Sequence, residues 1–150
     1  MNRLISQRLF ALMLVALGVL ALAAAPAQAA ERPYVSRGTA QFVSPNDFVG
    51  VGTATHLGLY DEVGSAQFSP TADPTVLQVD AWSIYTAANG DQLYATFTGH
   101  LNGLTGAITA TVTYEGGTGR FRDADGSATL SGQMLPGGTI TVTVEGTIDY

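Results

Sequence analysis

The sequence predicts an all-β protein in which eight antiparallel strands close into a barrel, preceded by a secretory signal peptide. Glycine accounts for 18 of the 150 residues, and threonine and valine are abundant. This composition is typical of strands that are joined by tight turns. After residue 30, apolar and polar residues alternate with a period of two through most of the chain. Such alternation indicates strands with one buried face.

Eight segments carry this alternation, and glycine, proline and asparagine mark the turns between them. The predicted strands are 37–44, 48–60, 63–69, 76–87, 91–101, 107–115, 126–134 and 139–150. The last is the clearest, since Ile140, Val142 and Val144 alternate with threonines. Eight strands are the number at which a closed barrel is just filled by side chains or holds one small ligand. We therefore expect a barrel rather than a sandwich, formed by a single domain over residues 30–150.

Residues 1–29 have the parts of a secretory signal peptide. Two arginines precede an uncharged apolar run from residue 9 to residue 25, and Ala27 and Ala29 are small residues at the positions that a signal peptidase reads. The run is shorter than the ~20 residues that a membrane-spanning helix needs. We therefore expect cleavage after Ala29 and a secreted protein, either extracellular or periplasmic.

Charge and residue usage exclude several classes of partner and site. The formal net charge is −6 and the chain has no lysine, so its surface should repel nucleic acid. Without cysteine, the chain can form neither a disulfide nor a thiolate zinc site. The two histidines, His56 and His100, have no spacing that fixes a ligand set. We expect no nucleic-acid partner and no metal.

The Asn89-Gly90 pair predicts a two-residue hairpin turn, which fixes the register of the flanking strands. Thr86 should then face Leu93, and the face that carries most aromatic and aliphatic side chains is assigned to the interior. This assignment gives the candidate pocket residues Trp82, Ile84, Leu93 and Phe97, with Tyr114 from a later strand. It also places Asp80 inside, opposite Gly99, as the candidate catalytic acid or base. The alternative is that Asp80 lies at the barrel rim and is solvated.

The stretch from residue 114 to residue 126 resembles the G-G-T-G-x-F-x-x-A-x-G signature of the dirigent proteins, which share an eight-stranded barrel with the allene oxide cyclases. The matching residues are Gly116, Gly117, Thr118, Gly119, Phe121 and Gly126. Stretches 54–58 and 88–99 look like the exported bacterial relatives of that barrel, whose function is mostly undefined. The resemblance implies a cavity that holds a hydrophobic small molecule without a cofactor, often in a homotrimer. The glycine motif would be a structural turn.

The leading functional prediction is a secreted barrel that binds a small apolar or aromatic ligand in its cavity. One alternative is a cofactor-free cyclase or isomerase in which Asp80 acts as acid or base, or a dirigent-like guide for coupling. Another is a structural surface barrel or a small outer-membrane barrel. The short turns and short strands count against the outer-membrane barrel, so membrane contact is not expected.

Overall fold

The computed structural model describes residues 30–150, which form a closed eight-stranded antiparallel barrel. The strands are β1 (Arg32–Phe42), β2 (Asp47–Ala54), β3 (Gly58–Pro70), β4 (Val76–Ala87), β5 (Gln92–Asn102), β6 (Ala107–Gly117), β7 (Asp125–Met134) and β8 (Thr139–Asp149). Each strand pairs with its neighbour in sequence, and β8 pairs with β1 to close the barrel. The predicted fold class is thus confirmed. The predicted signal peptide lies outside the described residues.

The order of the strands follows the prediction, but the boundary between β2 and β3 does not. The sequence predicted one strand over 48–60 and a break at residues 61–62. In the structure β2 ends at Ala54, and β3 begins at Gly58, whose φ is +69°. Glycine adopts this left-handed conformation without steric cost, which lets the chain reverse at residues 55–57. Asp61 and Glu62 therefore lie within β3 rather than in a turn.

The hairpin between β4 and β5 lies where it was predicted, but its register differs by one residue. The Ala87 backbone N–H donates to the Asp91 carbonyl at 2.9 Å, so the loop holds residues 88–90, with Gly90 at φ +87°. Tyr85 consequently pairs with Leu93, in place of Thr86. Because strand side chains alternate, a slip of one residue exchanges the inner and outer faces of a strand. The predicted inner face of β4 is wrong, whereas that of β5 is right.

The two ends of the barrel differ in how they are filled. At the end where β1 begins and β8 finishes, which we call the closed end, large side chains block the interior. Tyr34, Leu93, Tyr114, Phe121 and Ile148 are each at most 1% exposed there. The opposite end, which we call the mouth, is surrounded by the loops at residues 43–46, 71–75, 103–106 and 135–138. Within residues 30–150, no helix is long and apolar enough to cross a membrane.

Candidate functional site

The half of the barrel nearer the mouth encloses a cavity of about 90 Å³. Phe42, Phe48 and Phe68 line it toward the mouth, and inward-facing aliphatic side chains from the other strands complete its walls. Alanines keep the centre open, among them Ala81 and Ala110. An apolar cavity of ~150 Å³ stays dry and takes up a molecule the size of benzene. The space here, together with the mouth beyond it, suits a ligand of about one aromatic ring.

The inner end of the cavity is polar, because Glu62, Tyr60 and Tyr85 line its wall. Glu62 is only 7% exposed. The Ser83 hydroxyl donates a hydrogen bond of 2.6 Å to Glu62 Oε1. The Tyr60 hydroxyl pairs with the Ser36 hydroxyl at 2.9 Å. One carboxyl group therefore faces an otherwise mainly apolar cavity.

Glycines on β1 and β2 make the room that these polar side chains occupy. A Cβ atom at Gly50 would lie 2.8 Å from Glu62 Oε2, and one at Gly38 would lie 2.6 Å from the Tyr60 hydroxyl oxygen. Real Cβ contacts are essentially never this short. The side chains of Glu62 and Tyr60 can fold against the barrel wall because these glycines have no side chain.

Burial raises the pKa of the Glu62 carboxyl above its ordinary value, because desolvation disfavours the charged form. Hydrogen bonds from Ser83 and Tyr85 oppose this shift only in part. The other titratable groups facing it are Tyr60 on the same strand, Tyr85 on β4 and Tyr34 on β1. Burial raises the pKa of each of these phenols as well. Glu62 therefore keeps its proton to a higher pH than an exposed glutamate does.

We expect Glu62→Gln to flatten the dependence of stability on pH. An acid whose pKa is raised by folding makes its full stabilising contribution at pH values below its unfolded pKa of 4.5. This contribution is lost as the pH rises through the folded pKa. The wild type should therefore lose stability relative to the variant between pH 4 and pH 8, by about 1.4 kcal/mol for each unit of pKa shift. Urea denaturation at both pH values measures the difference. Asp61→Asn, at an exposed position on the same strand, is the control; an E62Q effect equal at both pH values would contradict this expectation.

The structure divides the predicted pocket residues between the inside and the outside of the barrel. Phe97 lines the cavity, and Leu93 and Tyr114 are buried at the closed end. Trp82 and Ile84 lie on the outer wall, and Trp82 is 49% exposed. Their predicted inward orientation is wrong because the register of β4 is shifted by one residue.

Asp80 also lies on the outer wall, for the same reason. Its Oδ1 accepts hydrogen bonds from the Thr98 hydroxyl at 3.1 Å and from the Gln78 side-chain amide at 3.5 Å. The prediction that Asp80 faces the interior beside Gly99 is therefore wrong, since Asp80 pairs with Thr98. An acid–base role for Asp80 within the cavity has no geometric support.

The glycine motif forms the turn between β6 and β7 and helps to seal the closed end. Gly116 and Gly119 have φ values of +84° and +57°, and Gly126 of +152°. Thr118 binds Gln92 twice, with its backbone N–H donating to the Gln92 carbonyl and its hydroxyl accepting from the Gln92 N–H. Gly117 packs closely on β5, and Phe121 is 0% exposed. None of the motif residues lines the cavity.

Neither histidine lines the cavity. His56, in the β2–β3 turn, contacts the Pro33 carbonyl through Nε2 at 2.9 Å and the Tyr150 hydroxyl through Nδ1 at 3.1 Å. His100 is exposed on the outside of β5. In the part of the chain that the structure describes, no group of three or more His, Asp or Glu residues is arranged to hold a metal ion.

Sequence reasoning missed Glu62, the only carboxyl group that lines the cavity among residues 30–150. The adjacent acids at 61 and 62 fell in the gap between two predicted strands, 48–60 and 63–69. The signal that could have placed Glu62 in a strand is Gly58, the glycine that follows the turn and begins β3. Counting alternate positions from there puts Tyr60, Glu62 and Phe68 on the same face.

Comparisons with known proteins show a distant likeness to a solved structure. No protein-family model matches the chain, and no curated protein matches it significantly. Among solved structures, the chain is similar to a nonspecific heme-binding cyclase that catalyses a [4 + 2] cycloaddition during neoabyssomicin biosynthesis. The TM-score is 0.45 and the identity 12%, over 88% of this chain and 72% of that chain. A likeness this distant carries no argument about function, and the resemblance to dirigent and allene oxide cyclase barrels stays a prediction.

Proposed function

We propose that the barrel binds a small apolar or aromatic molecule, which enters through the mouth and occupies the cavity. The observation that carries this proposal is an apolar cavity of about 90 Å³ in a barrel that is blocked at one end only. Burying apolar surface gains about 25 cal/mol per Å², so even a one-ring ligand gains useful affinity there. A purely structural barrel would be expected to fill this space with its own side chains.

Titration of methyl-labelled protein with acetophenone, followed by NMR, tests the proposal. We expect shifts at cavity-lining methyl groups such as Ala66 and Val142. Ala81→Leu should weaken binding by at least about tenfold, because the larger side chain fills the cavity. Ala107→Leu adds the same atoms at an exposed position and should leave binding unchanged.

Trp82 provides a second control, because it lies on the outer wall. Its fluorescence should remain constant while the cavity fills. Shifts that are confined to the surface around Trp82, or binding that survives Ala81→Leu unchanged, would overturn the proposal.

A second candidate function is proton-transfer catalysis in the same cavity, as in a cofactor-free cyclase or isomerase. It is favoured by one observation, the buried carboxyl of Glu62 with its raised pKa, since such groups often serve as general acids. Glu62 would donate its proton to an oxygen of the substrate and recover it as the product forms. For any substrate found to turn over, Glu62→Gln should abolish turnover and preserve binding; retained turnover would exclude this role.

A further inference from the structure

One oxygen of the Glu62 carboxyl group, Oε2, takes part in no hydrogen bond of residues 30–150, whereas Oε1 has a partner. The Ser83 hydroxyl donates a hydrogen bond to Oε1. The Tyr60 and Ser36 hydroxyls are already paired with each other. With its proton on Oε2, the carboxyl group can therefore offer an O–H to a bound molecule in the cavity.

The charges around the cavity exclude an ionised acid as the ligand. The arginines of the described chain are all exposed, and none lines the cavity. The chain has no lysine, so no ammonium group can neutralise a buried anion. Burying an unpaired carboxylate is costly, and more so beside a second carboxyl group.

The arrangement of polar and apolar walls also sets the direction in which a ligand binds. The polar side chains lie at the inner end of the cavity, whereas Phe42, Phe48 and Phe68 surround the end toward the mouth. A ligand with one polar group can hydrogen-bond at the inner end only if that group enters the cavity first. Its apolar part then contacts the phenylalanine rings.

From these three observations we propose that the ligand is an uncharged molecule with a hydrogen-bond acceptor, such as the carbonyl of a ketone, ester or lactone, and that this oxygen accepts the proton of Glu62. The inference rests on the proposed function, since it names the chemical class of the molecule that the cavity holds. In this inference, the Glu62 carboxyl group is what makes the cavity prefer that class of ligand.

Three probes of nearly equal shape test the inference: acetophenone, α-methylstyrene and benzoate. They carry a carbonyl oxygen, a methylene group and a carboxylate at the same position. At pH 5 we expect acetophenone to bind at least about threefold more tightly than α-methylstyrene, as one net hydrogen bond provides. Benzoate should bind at least about tenfold more weakly than acetophenone.

Two variants assign the preference to Glu62. Glu62→Gln keeps an N–H donor and should retain the preference for acetophenone over α-methylstyrene. Glu62→Leu removes the donor and should equalise or reverse the order while α-methylstyrene still binds. Circular dichroism checks that the variants are folded; if Glu62→Leu does not fold, the order of the three probes on the wild type decides.

The outcomes separate this inference from the proposed function. If none of the probes binds, the proposed function fails. If α-methylstyrene or benzoate binds the wild type as tightly as acetophenone, the cavity binds small molecules but the inferred ligand class is wrong. If Glu62→Leu folds and keeps the preference for acetophenone, another group is the donor and the assignment to Glu62 is wrong.

Discussion

Replacing Gly99 by alanine is expected to destabilise the barrel by about 3 kcal/mol, the upper part of the range for overpacked interiors. Gly99 lies on β5 with its missing side chain directed toward β6. A Cβ atom there would overlap the Thr109 carbonyl oxygen and lie 2.5 Å from the Ala110 Cα. Both atoms belong to backbone that is held in the β5–β6 ladder. The backbone cannot move aside without breaking cross-strand hydrogen bonds.

Gly103→Ala is the matched control for this substitution. A Cβ atom at Gly103 would meet only the Thr75 carbonyl oxygen, at 3.4 Å, which is an ordinary contact. Chemical denaturation of both variants measures the free energies of unfolding. We expect the control to lie within about 0.5 kcal/mol of the wild type, as surface substitutions usually do. Equal stability of the two variants would show that β5 and β6 separate more easily than the structure indicates.

The fold could be predicted because alternation and turn chemistry are local properties that each strand carries for itself. Strand β8 shows this most clearly, since Ile140, Val142 and Val144 face inward and Thr141 and Thr143 lie between them. Eight such segments joined by short turns leave few architectures other than a meander that closes on itself. Errors in individual boundaries, as at Gly58, do not change this outcome.

The site could not be predicted, because it depends on which face of β4 points inward. The outer face of β4 carries Trp82 and Ile84, whereas its inner face at the same level carries Ala81 and Ser83. Choosing the more hydrophobic face as the interior therefore selects the wrong one. The barrel needs small inner side chains here, because bulky ones would fill the cavity. Ser83 was hidden by this inversion, whereas Glu62 was missed because the boundary between β2 and β3 was misplaced.

The outer wall gives the physical reason why the hydrophobic pattern misleads in this half of the barrel. Val49 on β2, Val63 on β3 and Trp82 on β4 are each more than 40% exposed, at 43%, 48% and 49%. Val49 and Val63 are cross-strand partners, so their side chains lie next to each other on the outer surface of the barrel. On the far side of the barrel, Thr111 and Thr129 are partners on the outer wall, and alternation there identifies the interior correctly.

Phe121→Ala is expected to lower the free energy of unfolding by about 3–5 kcal/mol, the usual cost of removing a fully buried phenylalanine. Phe121 is 0% exposed, and its ring packs on Tyr150, with 5.0 Å between the ring centroids. Through this side chain, the turn between β6 and β7 packs into the closed end of the barrel. Leu104→Ala removes an apolar side chain that is 79% exposed, and it should change stability by less than about 0.5 kcal/mol.

Thermal unfolding of the two variants would measure this contrast, since about 1 kcal/mol corresponds to a few degrees in Tm for a domain of this size. The loss should extend beyond stability. With Phe121 removed, the closed end is no longer sealed, and the amide protons of residues 114–126 should exchange faster than those around the mouth. If Phe121→Ala were no less stable than Leu104→Ala, the burial of Phe121 would not stabilise the closed end, and the turn between β6 and β7 would not be needed to seal it.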